Sequence, residues 1–171
     1  MATSGWAQPS RTLSSRTTVF ASSLAWNWVK GSATNGPDFG DPLGTTEYQL
    51  CVYDGTSNLI SHALVPAGGV CNAASPRPCW AAKKTGFKCK DRDALSEGIQ
   101  QIILKSGAAG AAKITVKGKG ASLITPPMFP LAQPLTVQLR NTDGVCWEAT
   151  YSAPATKNVA GPPAKFKDKA D

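Results

Sequence analysis

The chain holds a single histidine, His62, and its charged residues make up only 17% of 171 residues. A charge-relay hydrolase would have to build on that one imidazole, and the run around it, Leu59-Ile60-Ser61-His62-Ala63-Leu64, reads as a plain strand. No Gly-x-Ser-x-Gly elbow accompanies it. No Cys-x-x-Cys occurs, so neither the paired-ligand spacing of a zinc site nor a thioredoxin-type motif is present. No apolar run approaches the roughly 18 residues of a membrane span. Amphipathic helical patterns are scarce as well. The one helical candidate, Asp93–Gln101, is broken by Gly98. These absences leave a turn-rich, strand-built domain.

What is present points the same way. Sixteen Gly and 13 Pro punctuate the chain, and between them fall short runs of strand length. They are Trp26–Val29, Thr46–Tyr53, Asn58–Val65, Gly86–Lys90, Ile99–Leu104, Ala112–Lys117, Leu135–Arg140 and Val145–Tyr151. Alternation is cleanest late in the chain. Leu135, Val137 and Leu139 face one way, while Thr136, Gln138 and Arg140 face the other. Period two with one wet face marks antiparallel sheets. The expected fold is an all-β antiparallel β-sandwich, jelly-roll or Ig-like, of about seven to eight strands. Residues 1–25 read as a flexible or strand-exchanging arm, 26–155 as the sandwich and 156–171 as a basic polar tail.

Five cysteines in such a domain read as disulfides and an oxidising compartment. Cys71 and Cys79 flank a short Gly- and Pro-bent loop and form the first expected bridge. Cys51 and Cys146 sit in distant strand-like runs and form the second. Cys89, between Lys88 and Lys90, is then the unpaired thiol, a small buried hydrophobe. Residues 1–26 lack the roughly 7–15-residue apolar core of a signal peptide, so an exported chain would have lost its signal already.

Six motifs occur in order: Asp38-Phe39-Gly40-Asp41-Pro42, Tyr48-Gln49-Leu50-Cys51-Val52-Tyr53-Asp54, Pro78-Cys79-Trp80, Gly86-Phe87-Lys88, Lys117-Gly118-Lys119-Gly120 and Cys146-Trp147-Glu148-Ala149. Together they resemble a domain of uncharacterised secreted bacterial proteins, over about residues 26–167. The resemblance implies export and a bacterial source, and it assigns no catalytic residue. The position of Cys89 usually carries an aromatic residue in that family, which fits an unpaired cysteine there.

Three functional readings follow. The first is a noncatalytic extracellular structural or assembly module, whose arm residues Thr17, Thr18, Val19 and Phe20 could add a strand to a neighbouring copy. The second is a carbohydrate-binding accessory domain that stacks sugars on exposed tryptophans, with Trp28 and Trp80 as candidates. A small secreted hydrolase is the third. Asp91, Asp93 and Glu97 could present hard oxygens to a calcium ion from one loop. No cofactor is expected. The expected partner is a second copy or a surface glycan. The net charge of +7 admits nucleic acid, but no motif supports it. The lysines alternate with apolar residues, as expected of solvated strand faces.

Overall fold

The computed structural model describes residues 16–20 (backbone), 23–126 and 128–171. Fourteen strands lie among them. The first eight are β1 (Arg16–Phe20), β2 (Ser23–Val29), β3 (Tyr48–Tyr53), β4 (Leu59–Val65), β5 (Val70–Cys71), β6 (Arg77–Pro78), β7 (Trp80–Lys83) and β8 (Gly86–Lys90). The rest are β9 (Ile99–Lys105), β10 (Lys113–Lys119), β11 (Leu135–Asn141), β12 (Cys146–Tyr151), β13 (Lys157–Val159) and β14 (Lys165–Lys169).

They form an eight-stranded sheet in the order β13-β14-β1-β2-β10-β9-β8-β7 and a four-stranded sheet in the order β12-β11-β3-β4. A short β5-β6 ribbon stands apart. All the strand pairs are antiparallel. The all-β antiparallel sandwich expected from the alternation is the fold, with more strands than expected.

The core lies between the two sheets. Period two fixes which side chains enter it: Leu24, Trp26 and Trp28 from β2, Ile114 and Val116 from β10, and Leu135, Val137 and Leu139 from β11. Each buried indole removes on the order of 200 Å² from water, about 5 kcal/mol at ~25 cal/mol per Å². The indole N–H groups are satisfied too. Trp26 donates to the Tyr151 hydroxyl, Trp28 to the Glu148 carbonyl, Trp80 to the Pro66 carbonyl and Trp147 to the Thr34 hydroxyl.

Several sequence expectations are corrected here. Thr17–Phe20 lie in β1, held in this chain's own sheet between β2 and β14; residues 1–15, 21 and 22 of the expected arm lie outside the described residues. The expected polar tail is two strands, β13 and β14. Phe166 drives this by filling the core at 0% exposure, while Asp168 accepts the Thr156 N–H and hydroxyl. Asp93–Gln101 forms no helix. Ala94, Glu97 and Gly98 take positive φ, and β9 starts at Ile99. At Gly98 (φ +86°) a Cβ would sit 2.7 Å from the Leu123 backbone, so only glycine fits that turn.

Candidate functional site

The residues with chemical potential fall into two groups, and strand order decides what each can do. The first is the outer face of the four-stranded sheet. Cys51 on β3 pairs across with His62 on β4 and with Gln138 on β11. Residues directly opposite in an antiparallel pair share a face, so the thiol and the imidazole are neighbours. The Nδ1 of His62 lies 3.8 Å from a Glu97 carboxylate oxygen. A thiol, an imidazole and a carboxylate thus come together as in a cysteine hydrolase.

The details oppose a nucleophile. Cys51 is 2% exposed. Burial pushes its thiol up, against the pull of a hydrogen bond from Tyr53 and the Arg140 charge. The same oxygen of Glu97 already accepts the Leu64 N–H at 2.7 Å. A shallow pocket of about 140 Å³ opens nearby between Glu47, Gln49, Leu64, Arg140 and Thr142. It is well below the roughly 300–1,000 Å³ of ordinary small-molecule sites.

Cys51 and Cys146 do not form the second bridge; both are free thiols. β11 separates their strands, and Cys146 faces Arg140, two residues further along β11 than Gln138, the partner of Cys51. Two strand spacings alone are about 9.6 Å, beyond the ~4.4–6.8 Å Cα separation of a disulfide. Cys71–Cys79 is the disulfide that forms, and it ties the β5-β6 ribbon. Cys89 is a free, buried thiol in the core. Burial, and then Asp91, push its thiol up to about 12. Cys146 is pushed up to about 11, by burial first and then by Glu148.

The second group is the loop from Asp91 to Gly98. Asp91 is fully buried, and its two carboxylate oxygens accept the N–H groups of Asp93 and Ser96. Asp93 reaches across to the Ala73 N–H beside the disulfide. Glu97 caps Leu64 on β4, an edge strand of the other sheet. The three expected calcium ligands therefore diverge within a clasp, in which Asp91 bonds its own loop, Asp93 reaches the ribbon loop and Glu97 alone reaches the other sheet. They point to three different places, and each serves backbone donors. Among the described residues no group of three His, Cys, Asp or Glu could hold a metal ion.

The tryptophan candidates are corrected as well. Trp28 and Trp80 are 0% and 2% exposed, so neither offers a ring to a sugar. Trp26 and Trp147 are buried beside them, and Trp6 lies outside the described residues. The alternation of Leu24, Trp26 and Trp28 carried this signal in the sequence.

Sequence reading missed how general the carboxylate pattern is. Of the 11 Asp and Glu, eight accept a backbone N–H: Asp38, Asp41, Asp54, Asp91, Asp93, Glu97, Asp168 and Asp171. At the β3–β4 turn, Asp54 accepts the hydroxyl and N–H of Thr56 and the N–H of Asn58. These bonds hold its carboxyl below the usual value, the Thr56 hydroxyl contributing most. A depressed folded-state pKa gives stability that is complete above the unfolded value and lost as pH falls through the folded one. The gap in urea midpoint between the wild type and Asp54→Ala should accordingly hold from pH 7 to about pH 5 and narrow from about pH 4 toward pH 2. A constant gap would exclude an ionised Asp54 as the cause.

Among the described residues no helix is long and apolar enough to cross a membrane. A scan against protein-family models finds no match, and no curated protein or solved structure matches the chain.

Proposed function

We propose that the chain is a noncatalytic structural module of an oxidising, extracellular compartment. The observation that carries this reading is the use of its carboxylates. Groups that would serve as acids, bases or ligands in an enzyme accept backbone N–H groups at turns, strand edges and the inter-sheet clasp. The Cys71–Cys79 bridge supports the compartment, because such bonds persist where thiols are not kept reduced. Assembly by strand exchange loses its support, since β1 is paired on both sides within its own sheet.

One experiment tests both halves. The native protein is alkylated at pH 7.5 and mapped by non-reducing peptide analysis. Cys71 and Cys79 should be recovered linked. Cys146, the least buried of the three thiols, should react first and slowly, with Cys51 and Cys89 reacting only after denaturation. Reduced Cys71 and Cys79 would overturn the compartment. Alkylation of Cys51 within minutes would reveal an activated thiolate and overturn the noncatalytic role.

A further inference from the structure

The lysines that looked like scattered solvated positions lie on one surface. Lys88 and Lys90 on β8 alternate with core Phe87 and Cys89, and Lys113 and Lys117 on β10 alternate with core Ile114 and Val116. Lys105 on β9 is opposite Lys113, and Lys119 ends the same outward row of β10. These six lysines therefore share the outer face of the eight-stranded sheet. Further along that face, Lys167 and Lys169 on β14 flank Asp168, which is buried and turned to the core side. Lys157 on β13 sits opposite Lys167. No Asp or Glu occupies any outward position of these strands.

Protection of sheet edges does not account for this arrangement. Edge protection calls for lysine on edge strands, whereas β8, β9, β10 and β14 are all interior in the strand order. Lys105↔Lys113 and Lys157↔Lys167 are like charges placed directly opposite, a pairing that destabilises a sheet. A bound polyanion would reverse the sign of that term.

We infer that this face binds an anionic glycan, a linear carboxylated or sulfated polysaccharide. This deepens the extracellular reading and rests on it. The chemistry of the face selects the ligand class. The charges on β8, β9 and β10 are lysines, point charges on long stems, without the arginine forks that grip phosphate in two places. The outward positions of β8, β9 and β10 carry no aromatic ring on which bases could stack. Gln101 stands between Lys90 and Lys117 in one cross-strand row, an amide among cations that suits sugar hydroxyls. A lipid surface would call for apolar anchors beside the charges, and the outward apolar residue between Lys88 and Thr115 is the half-buried Ile103.

The full chain is titrated at physiological ionic strength with alginate, dextran sulfate, neutral dextran, an oligothymidine and phosphatidylglycerol vesicles. Alginate and dextran sulfate should bind and weaken as salt rises, and dextran should not bind. The double variant Lys113→Glu/Lys117→Glu should bind about thirtyfold more weakly, with its circular dichroism unchanged. The charge-matched Arg77→Glu/Arg140→Glu, on the β5-β6 ribbon and on β11 of the other sheet, should lose less than about threefold. Equal losses in the two variants, no binding to either acidic polymer, or tighter binding to the oligonucleotide or the vesicles would each overturn the assignment. None of these outcomes touches the thiol map, so the two readings fail separately.

Discussion

Replacing Trp28 by alanine is expected to lower the melting temperature by roughly 10 °C, from a loss of about 3–5 kcal/mol in a domain of this size. Two effects combine. The ring is fully buried in the core, and its N–H closes the carbonyl of Glu148 on β12, an edge strand of the facing sheet. Trp28→Phe separates them. It keeps most of the apolar surface and removes the donor, for an expected cost of about 1–2 kcal/mol. Gly31 supplies an internal check. A Cβ there would come within 1.9 Å of the Trp28 ring, so Gly31→Ala should destabilise the wild type and do little harm once Trp28 is alanine. Equal effects of Gly31→Ala in both backgrounds, read by thermal circular dichroism, would refute the contact.

Asp91→Ala should be comparably severe, at about 3–5 kcal/mol. A carboxylate bond to N–H is worth roughly 1.5–3 kcal/mol, and both donors of this loop lose their acceptor together. Asp91→Asn keeps one acceptor oxygen and should recover part of the loss. Asp93→Ala and Glu97→Ala act on exposed bonds and should cost about 1 kcal/mol or less. Calcium separates the clasp from an ion site: melting in millimolar calcium and in chelator should coincide. A calcium-dependent rise in melting temperature, abolished by Asp91→Ala, would restore the ion-site reading.

The strands legible in the sequence are those whose outward residues are polar and inward residues large, such as β11 and β12. β14 was missed because Lys165-Phe166-Lys167-Asp168-Lys169 has one apolar residue. Its inward aspartate does the work of a buried polar group and breaks the pattern. The Cys51–Cys146 expectation failed for another reason. Each cysteine does lie in a strand, but the alternation within a strand says nothing of which strand comes between two others. The same limit hid the cationic face. The outward orientation of each lysine was readable one strand at a time, whereas their gathering on one surface follows from the order β10-β9-β8. The clasp was half legible. Asp91, Asp93 and Glu97 read from the sequence as calcium ligands on one loop, whereas their oxygens accept peptide N–H groups from three directions.

The pairing of β1 with β14 has a further consequence for how the molecule is made. Residues 16–20 find their second neighbour only in residues 165–169, almost the whole chain later, and β2 likewise waits for β10. Contacts so remote are slow to close. A nascent chain emerging start-first cannot complete its larger sheet until synthesis has reached the far end. During that interval the β1-β2 pair has both flanks open, the kind of unpaired edge that invites association with other chains.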